Sequence, residues 1–272
     1  MKTAVRGTVG LAMEEYQALC APVIRAGAAF IFLLGKTHTS DNSETIFIDH
    51  AGCSRVSHYF ILVLVSGRDE RARNQVQDKI EHGAVNYSIT ALVLDLVQFN
   101  NWLEEGHFFA VMVLEKAQLL YDSGKDRIST GGIINEEKRK CEQKQVYQRS
   151  RVTIEEFMAG AELFQLRGQY RLAAFMLHQS AEQTLRALLI MQTGLHIVTH
   201  NIEKLLRYCL LVCPQLEKVF CRHDEEDRRL LQLLQKAYID ARYRADYCIS
   251  APEAKTLTGK LRALQEIFEK SV

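Results

Sequence analysis

The sequence predicts two architectures in one chain: an α/β unit with a small mixed sheet, followed by an all-α antiparallel helical bundle. Three observations lead there. Short apolar, β-branched runs at residues 28–34, 59–65 and 89–96 alternate with helical patterning in the first half. A Gly-, Ser- and charge-rich stretch interrupts the pattern at 123–140. From Thr153 onward strand signals disappear and only helical periodicity remains.

In order, residues 11–25 read as a helix, 28–34 as a buried strand, 59–65 as a second strand and 69–82 as a helix. Residues 89–96 give a third strand, 98–105 and 108–116 two short helices, and 119–121 a last strand before the turn Asp122-Ser123-Gly124. This sets an α/β domain at 1–130, a solvated and partly helical linker at 131–150, and a bundle at 151–272. In the bundle, Thr153-Ile154-Glu155-Glu156 reads as a capping box opening the first helix. Gly168 and Gly194 punctuate the next two helices, Pro214 ends another, and 225–242 forms a further one. Ser250 as N-cap with Pro252 in the first turn starts the last helix, so four long helices and one short one are expected.

A chain of 272 residues with 47% hydrophobic and 25% charged residues has ample core for one or two domains. A formal net charge of +1 gives no global steering toward nucleic acid or membrane, though a local basic cleft would leave that number unchanged. The start Met1-Lys2-Thr3 leads into a mixed segment unlike a cleavable signal, and the apolar runs are too short to span a bilayer. Seven irregularly spaced cysteines then read as reduced thiols of a cytoplasmic protein.

The segment 173–189 carries the strongest chemical signal. His178, Glu182 and Leu185 share one face of an otherwise apolar helix, and charge in such a place requires partners. Two more pieces follow it: Thr199-His200-Asn201-Ile202-Glu203-Lys204-Leu205-Leu206, and Ala237-Tyr238-Ile239-Asp240-Ala241-Arg242-Tyr243. This ordered series over 154–268 resembles the HEPN domain, a helical bundle named for nucleotide binding. The resemblance implies a cleft between paired helices, often at a dimer interface, with His178, Glu182, His200, Asp240, Arg242 and Tyr243 as the matching polar residues. An arginine fork beside an aromatic ring suits a phosphate and a stacked base. Each of these residues also has a purely structural role open to it: Glu182 and Arg186 form an ordinary i, i+4 pair, and His200 stands at a helix start. Many family members are ribonucleases with an Arg and a His separated by four to six residues. Here Tyr247 stands where that histidine falls after Arg242, and a tyrosine is a poor base at neutral pH. Arg171 and His178 match the bare spacing but lie in the wrong helix.

The first half resembles the nucleotidyltransferase-like domains that commonly accompany HEPN bundles. The carriers are Phe30-Ile31-Phe32-Leu33-Leu34-Gly35-Lys36, where that family has an apolar strand ending in Gly-Ser, and Val56-Ser57-His58-Tyr59-Phe60-Ile61-Leu62-Val63, where it has Ser-Asp-x-Asp-Leu. His58 and Phe60 replace the two aspartates, and Lys36 replaces the serine that contacts phosphate. Nucleotidyl transfer requires two or three carboxylates on Mg²⁺. Asp95 on the third strand, with Asp41, Glu44 and Asp49 in the loop, are the remaining acids, so Mg²⁺ is implied only if they rebuild the site. Lys36 is the phosphate contact of any retained nucleotide pocket.

Other patterns read as structural. Cys209-x3-Cys213 sits one turn apart on an apolar helix, where core thiols are common, and Cys221-x-His223 lacks a zinc knuckle's spacing. His196-x3-His200 reads as local capping, Asp224-Glu225-Glu226-Asp227 as a helix N-terminus, and Lys138-Arg139-Lys140 as linker. The expected function is non-catalytic binding of a nucleotide or RNA by a HEPN protein with an inactivated nucleotidyltransferase-like domain, of a regulatory or toxin–antitoxin-like kind. The expected partner is a second copy bound through the bundle, with no role for DNA or membrane. The alternatives are an active enzyme, either a nucleotidyltransferase or a ribonuclease using Arg242 with His178 or His200, and a dimeric assembly module without a ligand.

Overall fold

The structure, a computed structural model, describes residues 13–38, 43–45, 56–83, 88–221 and 224–271. The chain divides into two units, Met1–Asn135 and Glu136–Val272. The first runs α1 (Met13–Arg25), β1 (Phe30–His38), β2 (Ser43–Thr45), β3 (Val56–Val65), α2 (Glu70–Gly83), β4 (Ser88–Asp95), α3 (Leu96–Glu104), α4 (Phe108–Lys116) and β5 (Gln118–Asp122). Its sheet is mixed. β1 is antiparallel to β2, β3 and β5, whereas β3 and β4 are parallel. A parallel pair needs a long crossover, and α2 supplies it.

Both sheet faces are covered, which is why these strands read as continuous apolar runs. On one face, Leu19 and Val23 of α1 and Val76 and Ile80 of α2 cluster with Ile31, Leu33, Tyr59, Ile61 and Val63. On the other, the Phe32 ring lies 6.5 Å from that of Phe99, and Phe60, Leu62 and Leu64 are buried alongside Leu103 and Phe109.

The strand expected at 28–34 is corrected, and two further features come to light in this unit. β1 does not stop at residue 34 but continues through Gly35 and Lys36 to His38, with a register shift between Leu33 and Gly35. Its extension is paired on the far side by β2, a three-residue Ser-Glu-Thr strand with no apolar signature to announce it. Asp95 ends β4 as the N-cap of α3, accepting from the amides of Val97 and Gln98 at 2.9 and 3.2 Å. Asp41 and Asp49 lie outside the described residues. Glu44 is described only through its backbone, opposite Lys36 in the β1–β2 ladder.

The linker expected at 131–150 is divided between the two units. Gly132 donates its amide to the Leu103 carbonyl, and a Cβ there would lie 2.8 Å from the carbonyls of Leu103 and Glu104. Gly106, at φ +69°, faces the Ile133 carbonyl more closely still. Glycine permits both the close approach and the positive φ, so residues 131–133 lie against the α3–α4 turn. From Glu136 onward the chain is helical.

The second unit contains α5 (Glu136–Leu166), α6 (Tyr170–Thr193), α7 (Ile202–Leu210), a 3-10 turn (Pro214–Lys218), α8 (Glu225–Tyr243) and α9 (Ala251–Glu269). Because α5 begins 17 residues before Thr153, the capping box expected there does not form. Thr153 sits mid-helix, and its hydroxyl bonds the Arg149 carbonyl one turn back. The other boundaries follow their local chemistry. Gly194 ends α6 at φ 78°, Asn201 caps α7, Asp224 caps α8, and Ser250 with Glu253 forms a complete capping box on α9. α6 is the central helix, packed by α5, α7, α8 and α9. No helix of the described residues is long and apolar enough to cross a membrane.

Candidate functional site

Central position explains the apolar character of α6 and makes its polar residues conspicuous. His178 is fully buried and Glu182 is 2% exposed. A carboxylate buried to that degree requires charge and hydrogen bonds around it. Arg186, one turn on, forms an ion pair with Glu182 at 3.0 Å and donates to the Thr199 carbonyl at 2.7 Å. His200, in the loop between α6 and α7, donates Nδ1–H to Glu182 at 3.0 Å, while its side chain stays 52% exposed. Glu182 thus joins the buried interior of α6 to a half-exposed imidazole at the surface.

His178 has a defined protonation pattern. Its Nε2 lies 3.2 Å from the His200 carbonyl, which can only accept, so Nε2 carries the hydrogen. Nδ1 then accepts from the Gln179 amide at 3.3 Å. Burial pushes this imidazole down to about 4, with the nearby positive charges of His200, Arg242 and Arg186 acting in the same direction against that hydrogen bond. His178 is therefore neutral at physiological pH. Gln235 of α8 also donates to the His200 carbonyl, at 3.3 Å, and accepts from the Ile202 amide at 2.6 Å. Side chains of two helices hold the loop in place.

α8 contributes the aromatic part. The Tyr238 ring stacks with that of His200, with centroids 4.4 Å apart and planes 16° from parallel, and lies 5.1 Å from that of His178. One turn later Arg242 donates Nε–H to the Tyr238 carbonyl at 2.8 Å. Its guanidinium carbon lies 5.0 Å from the Phe175 ring, 4.8 Å from Tyr238 and 4.9 Å from Tyr243. No carboxylate among the described residues pairs with it. Arg242 is exposed, held by three rings and a carbonyl, with its terminal nitrogens left for an anion.

Of the residues singled out in the sequence, His178, Glu182, His200 and Arg242 come together. Tyr243 joins through Arg242 and is 75% exposed. Asp240 does not join: two residues from Tyr238, it lies across the helix, and its charge acts on Tyr247 instead. Lys36 lies in the first unit, on β1 between Glu44 and Tyr59. Sequence reasoning passed over Arg186, Phe175, Tyr238 and Gln235 as site residues. The i, i+4 steps Glu182–Arg186 and Tyr238–Arg242 were the available signals.

The two pairs at bare ribonuclease spacing, Arg242 with Tyr247 and Arg171 with His178, are engaged otherwise, whereas His178, His200 and Arg242 gather around Tyr238. Tyr247, in the place of the expected histidine, is buried and donates its hydroxyl to the Leu233 carbonyl at 3.1 Å. Burial pushes that hydroxyl further above its ordinary range, which removes it as a base. Arg171 is engaged with the carbonyls of Ala241 and Arg244 at the end of α8.

In the first unit, His58 is buried on β3 with Nδ1 2.7 Å from the Ser88 hydroxyl and Nε2 2.8 Å from that of Thr90. Phe60 is buried beside it, ring centroids 4.7 Å apart. An imidazole bonded at both nitrogens and a phenyl ring do not suit Mg²⁺, which takes oxygen ligands. In the second unit Cys209 and Cys213 are buried core thiols. Burial raises both, Cys213 to about 11, which disfavours the thiolate that zinc requires. His223 lies outside the described residues.

Residues 154–271 match the family model of the HEPN domain. The match begins within α5 and runs past the end of α9, so the second unit carries a HEPN domain. The chain matches no curated protein.

Proposed function

We propose that the helical unit is a non-catalytic binding module for a nucleotide or RNA, with Arg242 as the phosphate contact. One observation carries this reading: the exposed guanidinium of Arg242 is held by Phe175, Tyr238 and Tyr243 with no carboxylate partner among the described residues. A fork fixed in this way loses little freedom on meeting a phosphate. Tyr243 offers a ring face for a base, and His200 stands at the rim over Glu182. Absence of catalysis is supported by Tyr247, whose hydroxyl is buried on the Leu233 carbonyl. We further propose that the first unit is an inactivated nucleotidyltransferase-like domain, supported by the antiparallel β1–β3 pair, the parallel β3–β4 pair, and His58 and Phe60 in place of acids.

The bundle is also proposed to pair with a second copy. Val152, Glu156, Ala159, Leu163 and Leu166 repeat at four- and three-residue steps along the exposed side of α5, and Leu166 is 87% exposed. A single-face seam of this kind matches a partner helix, and Leu163→Glu is expected to give the monomer mass in light scattering.

The test of the binding reading is calorimetric titration of the full chain with ATP, UMP and a ten-nucleotide RNA. Arg242→Ala is expected to weaken binding at least tenfold with an unchanged melting temperature, and labelled RNA is expected to stay intact. Undiminished affinity in Arg242→Ala would overturn the site. RNA cleavage by the wild-type chain would overturn the non-catalytic reading.

A further inference from the structure

Away from this cluster, α7, the turn after the 3-10 segment and the first two turns of α8 border an open cavity of about 240 Å³. Its floor is apolar: Leu206, Phe220 and Leu231 line it, and all three are buried beneath it. Its rim is charged, with Glu203 and Arg207 from α7 and Arg228 from α8.

The walls are tied down. Asp227 accepts from the Cys221 amide at 2.9 Å and pairs with Lys260 of α9 at 2.5 Å. Lys260 in turn donates to the Val219 carbonyl at 2.7 Å and lies 5.3 Å from the Phe220 ring centre. These bonds join α8, α9 and the 219–221 turn, so the space is part of a braced structure. They also neutralise Asp227. Arg228 has its Nε 3.4 Å from the Asp224 carbonyl, and no carboxylate among the described residues pairs with it.

We infer that this cavity binds a small aryl carboxylate, its ring on Leu206, Phe220 and Leu231 and its carboxylate on Arg228. The volume lies just below the roughly 300–1,000 Å³ of sites for drug-sized ligands, which limits the occupant to a ring with a short acidic arm. An apolar floor with a few convergent polar groups is the usual make-up of such a site. The planar Arg228 guanidinium can meet one carboxylate with two hydrogen bonds.

The full-length protein, with leucine methyl groups labelled, is titrated with benzoate, phenylacetate and indole-3-acetate while its methyl NMR spectrum is recorded. Benzyl alcohol is the uncharged control. Saturable shifts at Leu206 and Leu231 are expected for at least one acid. Arg228→Gln is expected to raise its Kd at least tenfold, and Glu203→Gln to lower it about threefold, since these exposed substitutions change the rim charge in opposite directions. Each variant's methyl spectrum reports its fold directly. No saturable shift at either leucine up to 10 mM acid, equal shifts with benzyl alcohol, or an unchanged Kd in Arg228→Gln would each overturn the inference. Because Arg242 lies outside this lining, Arg242→Ala should leave these shifts unaltered, so the two sites fail independently.

Discussion

Each unit buries a histidine, and the two are treated differently. His58 bridges two hydroxyls of the neighbouring strand. A hydroxyl can rotate to donate or to accept, so that pair satisfies either tautomer. His178 faces a carbonyl, which dictates one tautomer, and it stands 3.9 Å from a buried carboxylate that is itself bonded to an exposed histidine. The two hydroxyls that His58 meets are neutral groups. The second arrangement carries charge from the core to the surface. The network around His178 leads outward, through Glu182, to the half-exposed His200.

The contrast can be broken most severely at Phe60. Phe60→Asp places a carboxylate in the buried layer that holds His58, as the nucleotidyltransferase pattern would require, with no cation described beside it. The expected cost is above about 5 kcal/mol, enough to unfold the first unit. Calorimetry should show its transition lost, and a folded variant with bound Mg²⁺ would reverse the assignment of this unit as inactivated.

Next in size is Glu182→Ala. It leaves Arg186 and His200 without their shared carboxylate, and loss of one partner of a buried pair costs about 3–4 kcal/mol. Urea denaturation followed by circular dichroism measures it. A loss below about 1 kcal/mol would mean that Glu182 behaves as an ordinary exposed partner.

The pH dependence is similar in size and has a definite sign. An unfolded His178 takes up a proton near pH 6.5, whereas the folded one resists until about 4. Stability is therefore full above about 6.5, is lost as pH falls through that window, and levels off below about 4. The total is about 3 kcal/mol. His178→Asn should flatten the profile of melting temperature against pH between those limits, and an unaltered slope would place the effect elsewhere.

The smallest effect tests a boundary. Ser250→Ala removes the hydroxyl that accepts from the Glu253 amide and should cost about 1 kcal/mol. Thr153→Ala, where no cap forms, should cost nothing measurable in the same urea titration.

Much of this was legible in the chain. The strands at 59–65 and 89–96 were visible because both sheet faces are covered, and a fully buried strand has no polar alternation to obscure it. The helix ends at Gly194, Asp224 and Ser250 were visible because capping uses the residue itself and its nearest neighbours. His178, Glu182, His200 and Arg242 were visible as polar groups at helical spacing within matching segments. β2 was not visible, since three polar residues are ordered by the ladder to β1 and by nothing in their own composition.

What the sequence determined by itself is therefore local: periodicity, caps, and the presence of charge where an apolar helix needs none. Tertiary structure alone decided which groups face one another. Nothing in the spacing placed His200 on Glu182 across 18 residues, or Phe175 beside Arg242 while Asp240 turned away toward Tyr247. The start of α5 was decided in the same way. Its first turns are strongly polar, yet Gln143 bonds the Met191 carbonyl and Tyr147 lies against Phe268, so contacts with α6 and α9 extend the helix beyond its local stop. Local signals act through the backbone of a few residues, whereas a site is made by side chains that meet only after the helices pack.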